Sequence, residues 1–169
     1  MELEKYDFQW DENGHKASQV LMKYQKAIDF YGLHGWKAEI NSRAKRRGGC
    51  CKPRKKVLDV SAWLVRKNGF RRIENTILHE IAHAIEYNEY GKTDHGPRWQ
   101  RIARAIGCDG KRCFTSDNTE LPEPKYYLVC PNCGKKSRRH RKPKASYACG
   151  TCCTNGYDEK YKLILQQNH

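Results

Sequence analysis

The segment Thr76–Trp99, TILHEIAHAIEYNEYGKTDHGPRW, sets out side chains suited to metal chemistry. His79-Glu80-Ile81-Ala82-His83 places two imidazoles four residues apart with a carboxylate between them. On a helix, positions i and i+4 stand one above the other, so both rings can reach one metal ion. A catalytic zinc usually takes three protein ligands and leaves a position for water. The third ligand must come from beyond the helix. Gly91 lets the chain turn back and His95 is the first histidine to arrive, with Asp94, Glu86 and Glu89 as alternatives. Such a cation lowers the pKa of a water toward about 7 and polarises a carbonyl. Glu80 would take the proton and pass it to the leaving amine. The reaction class is peptide hydrolysis with no covalent enzyme intermediate. His15 and His34 receive no role.

A second constellation lies near the C-terminus. Cys130-Pro131-Asn132-Cys133 and Cys149-Gly150-Thr151-Cys152 form two Cys-x-x-Cys pairs, separated by 15 residues. This is the spacing of a tetrahedral four-cysteine zinc site, and a redox dithiol would need only one pair. The segment is too short and polar to hold itself by burial, so the metal would supply folding energy. Cys153 adjoins Cys152 and stands as an alternative fourth ligand. Cys50, Cys51, Cys108 and Cys113 lack knuckle spacing and are expected as free thiols, buried or partly buried.

The chain of 169 residues carries 33 Lys+Arg against 19 Asp+Glu, a net charge of +14. The cations cluster. Ser42–Lys56 holds eight, Arg46 and Arg47 among them, and Gly134–Lys144 holds seven, namely Lys135, Lys136, Arg138, Arg139, Arg141, Lys142 and Lys144, with no acid in either run. A merely solvated surface would mix the signs, so a polyanionic partner is expected, nucleic acid before an anionic membrane. The second run would form an exposed arm whose cations neutralise phosphates. Tyr126, Tyr127 and Tyr147 could stack on unpaired bases, with at least one of them engaged only in packing. No apolar run approaches the length of a membrane span, and the start carries no apolar signal region. The expectation is an intracellular protein, in the cytoplasm and nucleoid or in the nucleus.

The elements that must position these groups follow from periodicity. Arg72–Tyr90 predicts a helix with Ile73, Ile77, Ile81, Ala84 and Ile85 on one arc and His79 and His83 off it. Pro97 opens a further helix, Arg98–Ile106. Ala17–Tyr31 has helical spacing, Trp36–Ile40 and Lys56–Ala62 read as strands, and the basic segment around Gly48-Gly49-Cys50-Cys51 reads as a loop. Thr115–Pro124 reads as a linker or long loop, Tyr161–Leu165 as a closing strand and Gln166–His169 as a tail.

The chain resembles the SprT-like family, which includes the Spartan proteases. Four elements carry the resemblance: Thr76-x-x-His79-Glu80-x-x-His83-Ala84; His95-Gly96-Pro97-x-Trp99; Tyr126-Tyr127-Leu128-Val129-Cys130-Pro131-Asn132-Cys133-Gly134; and Tyr147-x-Cys149-x-x-Cys152. Their order spans Trp36–Leu165. The resemblance implies an α+β fold, a small zincin-like helical core with a short β-sheet over residues 1–120, followed by a four-cysteine zinc ribbon with its basic arm over residues 121–169. It implies that His79, His83 and His95 hold a catalytic zinc, that Glu80 is the general base and that Cys130, Cys133, Cys149 and Cys152 hold a structural zinc. It further implies proteolysis of proteins trapped on or crosslinked to DNA, single-stranded or junction DNA being favoured. The resemblance does not extend to the long tails of animal relatives, so recruitment through such tails is not carried over. Cys50-Cys51 and Cys153 fall outside the family pattern. A non-proteolytic, zinc-stabilised nucleic-acid-binding or regulatory protein is the alternative, and a general peptidase whose charge only aids solubility is a third.

Overall fold

Isoleucines at 73, 77, 81 and 85 recur every four residues, and this period folds Phe70–Tyr90 into a helix, α3, whose inner stripe is buried. Gly91 ends it in the left-handed region at φ 70°, its N–H donating to Tyr87 O at 2.8 Å, a conformation that a Cβ would strain. The computed structural model describes residues 3–113 and 119–168. It is a mixed α/β chain with small sheets, and it divides into two units, Met1–Leu121 and Pro122–His169.

In the first unit, α1 (Lys16–Phe30) is followed by β1 (Lys37–Asn41), β2 (Gly49–Lys52), β3 (Val57–Ser61), α2 (Ala62–Lys67), α3 and α4 (Pro97–Ala105). The sheet order is β1-β3-β2, with β1 parallel and β2 antiparallel to the central β3. β3 reads as a near-continuous apolar run because it is covered on both faces. Helix α1 packs on β1, and α3 packs on β2 and β3. Val20, Tyr24, Ala27 and Ile28 of α1 meet Trp36, Leu58, Trp63 and the isoleucines of α3 in one core. An N-terminal strap closes it. Phe8 stacks on Trp10 and Trp10 on Phe70, at centroid distances of 5.2 and 4.6 Å, and Trp10 Nε1 donates to Glu74 Oε2 at 3.0 Å.

Several elements differ from the sequence reading. Gly49–Lys52 is a strand, not a loop. Lys52 and the basic run before the strand conceal this from sequence, because the partner of Lys52 and Arg47, Asp59, is fully buried in the middle of β3. Asp59 Oδ2 lies 2.8 Å from Lys52 Nζ and 3.5 Å from Arg47 Nη2, and it accepts from Asn41 Nδ2 at 3.0 Å. Helix α2 went unread because Ala62–Val65 is apolar all round and buried all round. The linker reading of Thr115–Pro124 falls partly on residues 114–118, outside the described residues. Beyond them the chain packs on the first unit: Thr119 is buried, and Asn68 pairs with the Glu120 backbone through Glu120 N at 2.8 Å and Glu120 O at 3.0 Å.

The second unit holds β4 (Tyr126–Val129), β5 (Lys136–Arg139) and β6 (Ile164–Gln167) in the order β5-β4-β6, all antiparallel. Four residues of the expected exposed arm, Lys136–Arg139, are therefore strand β5, since β4 supplies its ladder partner. The closing strand is displaced toward the C-terminus. Glu159–Tyr161 is a 3-10 turn, and Gln166 and Gln167 lie in β6 rather than in a tail. Among the described residues no helix is long and apolar enough to cross a membrane.

If the α3 stripe anchors the core, Ile77→Ala costs about 2–5 kcal/mol of stability. Urea unfolding of the metal-loaded protein measures this, and a loss below about 1 kcal/mol would place Ile77 outside the packed interior.

Candidate metal centres

α3 places His79 and His83 one turn apart on the side away from the isoleucine stripe, and the loop after Gly91 returns His95 to them. His95 Nε2 lies 3.0 Å from His79 Nε2 and 3.1 Å from His83 Nε2. Three nitrogens on one tetrahedral zinc, at the usual bond length, stand about 3.3 Å apart. The donor set therefore fits one shared cation with little movement. Burial, then the neighbouring histidines, lowers His83 to about 3; burial, then His95, lowers His79 to about 4. Burial, then Arg112, also lowers His95. All three rings are thus held neutral, the form that ligates metal.

The nitrogens that do not converge are fixed from behind. His83 Nδ1 bonds Thr93 Oγ1 at 2.7 Å, and the Lys111 backbone bonds His79. Trp99, fully buried at the start of α4, packs against all three imidazoles, with centroid distances of 4.6, 5.1 and 4.7 Å to His79, His83 and His95. Glu86, one turn beyond His83, accepts from Asp94 N at 3.0 Å and lies 3.6 Å from Arg98 Nε. The helix that carries two of the histidines thus also ties down the loop that carries the third. The alternatives to His95 are otherwise engaged: Glu86 holds this loop, Asp94 accepts from Gly96 N, and Glu89 is exposed on the outer face of α3.

Glu80 is buried and lines the same cavity of about 520 Å³ as the three histidines. Burial, then the nearby Asp59, raises its carboxyl to about 8, while the Cys51 amide bonds it and pulls the other way. Tyr87, Tyr90 and Arg98, near the motif in sequence, do not line this cavity. Tyr87 packs on Trp36, and Arg98 lies over the Tyr90 ring at 4.2 Å. The cavity's cations are Arg46, Arg47, Arg72, Lys111 and Arg112. Sequence reasoning missed the last three: Lys111 and Arg112 are signalled only by a short basic run after Asp109, and Arg72 lies in the first turn of α3. It also missed Thr93 and Asp59, the latter marked by a lone carboxylate inside the apolar run VLDVS.

The second cluster joins Cys130, Cys133, Cys149 and Cys152. Cys130 Sγ lies 3.9 Å from Cys152 Sγ, and Cys133 Sγ 3.7 Å from Cys149 Sγ. These are too long for disulfides and close to the about 3.8 Å expected of thiolates sharing a tetrahedral zinc. Backbone N–H groups of Thr151 and Cys152 lower the Cys149 thiol to about 6. Cys153 turns away, its Sγ 3.3 Å from Gly156 O, so Cys152 completes the cluster. The cluster is consistent with a zinc ribbon. Of the other cysteines, Cys50 and Cys51 are half-buried and Cys108 is buried, but Cys113 is exposed, contrary to the expectation of a buried thiol.

The nucleic-acid candidates separate in place. Arg46 and Arg47 are exposed at the cavity of the first unit. Lys136, Arg138 and Arg139 lie on β5, with Lys136 over the Tyr127 ring at 6.0 Å and Arg139 over Tyr147 at 5.9 Å. Lys135 donates to Thr151 Oγ1, and Arg141, Lys142 and Lys144 are exposed. Tyr147 is exposed, whereas Tyr126 and Tyr127 are half-buried. His15 caps α1, accepting from Ser18 N, and His34 is exposed; neither reaches the site.

The model of the SprT-like family matches residues 17–120. A protein named SprT from Pseudomonas paraeruginosa is 30% identical over 120 residues, which cover 69% of this chain and 73% of that protein. A SprT protein of Pseudomonas aeruginosa is 29% identical with the same coverage, and one of Pseudomonas putida is 25% identical over 112 residues, 64% of this chain and 68% of that protein.

The bond between Thr93 and His83 yields a direct test. Thr93→Val removes the hydroxyl that orients His83, and metal affinity at the three-histidine site falls by about 10–100-fold. Competition with a chelator reads this. An unchanged affinity would leave Thr93 without a role in orienting the ligand.

Proposed function

The chain belongs to the SprT-like family, and from that premise we propose that it is a zinc metalloendopeptidase that cuts proteins held on or crosslinked to DNA. One observation carries the reading: a buried glutamate shares a cavity with three imidazole nitrogens that converge on a single point. On this reading the core is zincin-like, His79, His83 and His95 hold one zinc, and the four cysteines hold another in a ribbon. When bound at the histidines, zinc supplies a Lewis acid that polarises a carbonyl and acidifies a water.

The remaining chemistry belongs to the chain. Glu80 accepts the proton of the attacking water and returns it to the leaving amine. Its burial raises its proton affinity, a nearby dication lowers it, and the balance lets one carboxylate do both. The edge strand β2 lines the cavity, so an extended peptide can lie along it with its carbonyl toward the histidines. The cationic rim and the β5 cations draw a polyanion to the protein. A DNA strand held there raises the local concentration of proteins bound to the same strand, so a cleft of low selectivity suffices.

The purified protein is expected to bind two zinc ions per chain. Glu80→Gln lowers cleavage of a DNA-bound protein by about 10²–10⁴-fold while zinc and DNA binding persist. A variant as active as its parent would remove Glu80 from the chemistry. A parent that binds DNA and zinc but cuts nothing would favour the regulatory alternative. Reversing the charges of Lys135–Lys144 is expected to abolish stimulation by DNA and to flatten the salt dependence of affinity, by about 0.9 in slope for each phosphate no longer neutralised. Equal cleavage with and without DNA would instead support a general peptidase.

A further inference from the structure

We propose that Gly49 is a positioning residue for Glu80: the edge strand β2, and not α3 alone, sets where the carboxylate stands. The proposal rests on the hydrolytic reading above for its kinetic consequence, but not for its structural one.

Two observations on β2 converge on Glu80. Ser61 N donates to Gly48 O at 2.6 Å, and the register sets Gly49 opposite Val60 and Cys51 opposite Leu58. In an antiparallel ladder, hydrogen-bonded and non-hydrogen-bonded pairs alternate. Gly48 and Cys50 therefore bond inward to β3, while Gly49 and Cys51 turn their backbone groups to the free edge. The Cys51 amide meets the Glu80 carboxylate there. A Cβ built on Gly49 would stand 2.7 Å from Glu80 Oε1, 2.8 Å from Glu80 Cγ and 2.9 Å from Asp59 O. Gly48 is different: nothing stands closer than 3.5 Å to its added Cβ. Glu80 thus occupies the space that any side chain at position 49 would need.

Confinement follows from burial. Glu80 is 6% exposed, so a carboxylate pushed off β2 moves within the cavity it lines, toward the histidines or away from the Cys51 amide. A displacement of about 1 Å in a catalytic group can cost on the order of 10²-fold in rate. A methyl at position 49 therefore acts on turnover through Glu80, and it leaves the histidine ligands and the outer cleft in place.

Three readouts test this. In the metal-loaded protein, Gly49→Ala is expected to lower kcat on a peptide substrate on the order of 10²-fold, with KM and metal affinity near those of the parent. A purely structural glycine would lower neither kcat nor kcat/KM once the folded fraction is accounted for. The second readout needs no activity. Gly49→Ala lowers Tm in the parent but lowers it less in a Glu80→Ala background, where Cγ and Oε1 are gone and only the Asp59 O contact remains. Additive losses would overturn the proposal. The third keeps Gly49 intact, should the Ala variant not fold. Hydrogen exchange at the Cys51 amide speeds up in Glu80→Ala, while the Cys50 amide, bonded into the ladder, does not change. Equal protection of Cys51 in both proteins would show that Glu80 does not sit on this edge. If the parent cuts no peptide, the hydrolytic reading falls, and the second and third readouts still decide whether β2 holds the carboxylate.

Discussion

Three imidazole nitrogens facing one another at about 3 Å form an arrangement that neutral rings alone do not favour. Thr93 engages the outward nitrogen of His83, and the Lys111 backbone bonds His79, so the three Nε2 atoms meet one another with lone pairs that a neutral tautomer's single N–H matches less well than a shared cation does. Protonating a ring would supply a donor, but burial pushes all three away from the charged form. A shared dication resolves the conflict, because it accepts all three lone pairs at once. Much of the first unit can be understood as the means of enforcing this unfavourable geometry before the cation arrives. The isoleucine stripe fixes the rotation of α3, Gly91 reverses the chain, Glu86 fastens the returning loop, and Trp99 backs the three rings with one indole.

The carboxylate is governed by a different element from its neighbours in sequence. His79 and His83 are aimed by α3 and steadied from the α3–α4 side, while Glu80, between them, meets β2 across the cavity. The basic segment leading into β2 is in turn moored by Asp59, whose buried carboxylate gathers Lys52, Arg47 and Asn41. Asp59 also raises the proton affinity of Glu80. One buried acid therefore acts twice, through the strand that confines Glu80 and through its own charge. Gly49, at the head of β2, lets strand and carboxylate approach this closely.

Local signals were legible wherever a group and its support lie within a few turns of chain. The period of Ile73, Ile77, Ile81 and Ile85, the stop at Gly91 and the proline at the start of α4 all appear in the sequence, and so do the paired knuckles. What stayed hidden was non-local. Gly49–Lys52 looks like a loop until Asp59, on another strand, is known to pair with Lys52 and with Arg47 just before it. β5 looks like an arm until β4 supplies its ladder. Thr93 and Asp59 carry no motif, because their partners are chosen by the fold. Even the cations beside His95 emerge only when the segment after α4 folds back over the cavity.

The two metal-capable clusters differ in what their surroundings already provide. The histidines sit on a unit with a continuous core of tryptophans, isoleucines and leucines, which would persist around an empty site. In the second unit the buried apolar side chains are few, Leu128, Cys130 and Cys149 among them, and two of these are themselves in the four-sulfur cluster. Strands of four residues with exposed or half-exposed faces do not bury enough apolar surface to hold together. In that unit a bound metal would be a folding element, since binding and ordering would be one equilibrium. In the first unit it would be a reagent delivered to a site already built. Chelation would therefore act on the two units by different physics. It would empty the first site and leave its shape, and it would loosen the second unit, along with the tyrosines and cations that β4 and β5 hold in register.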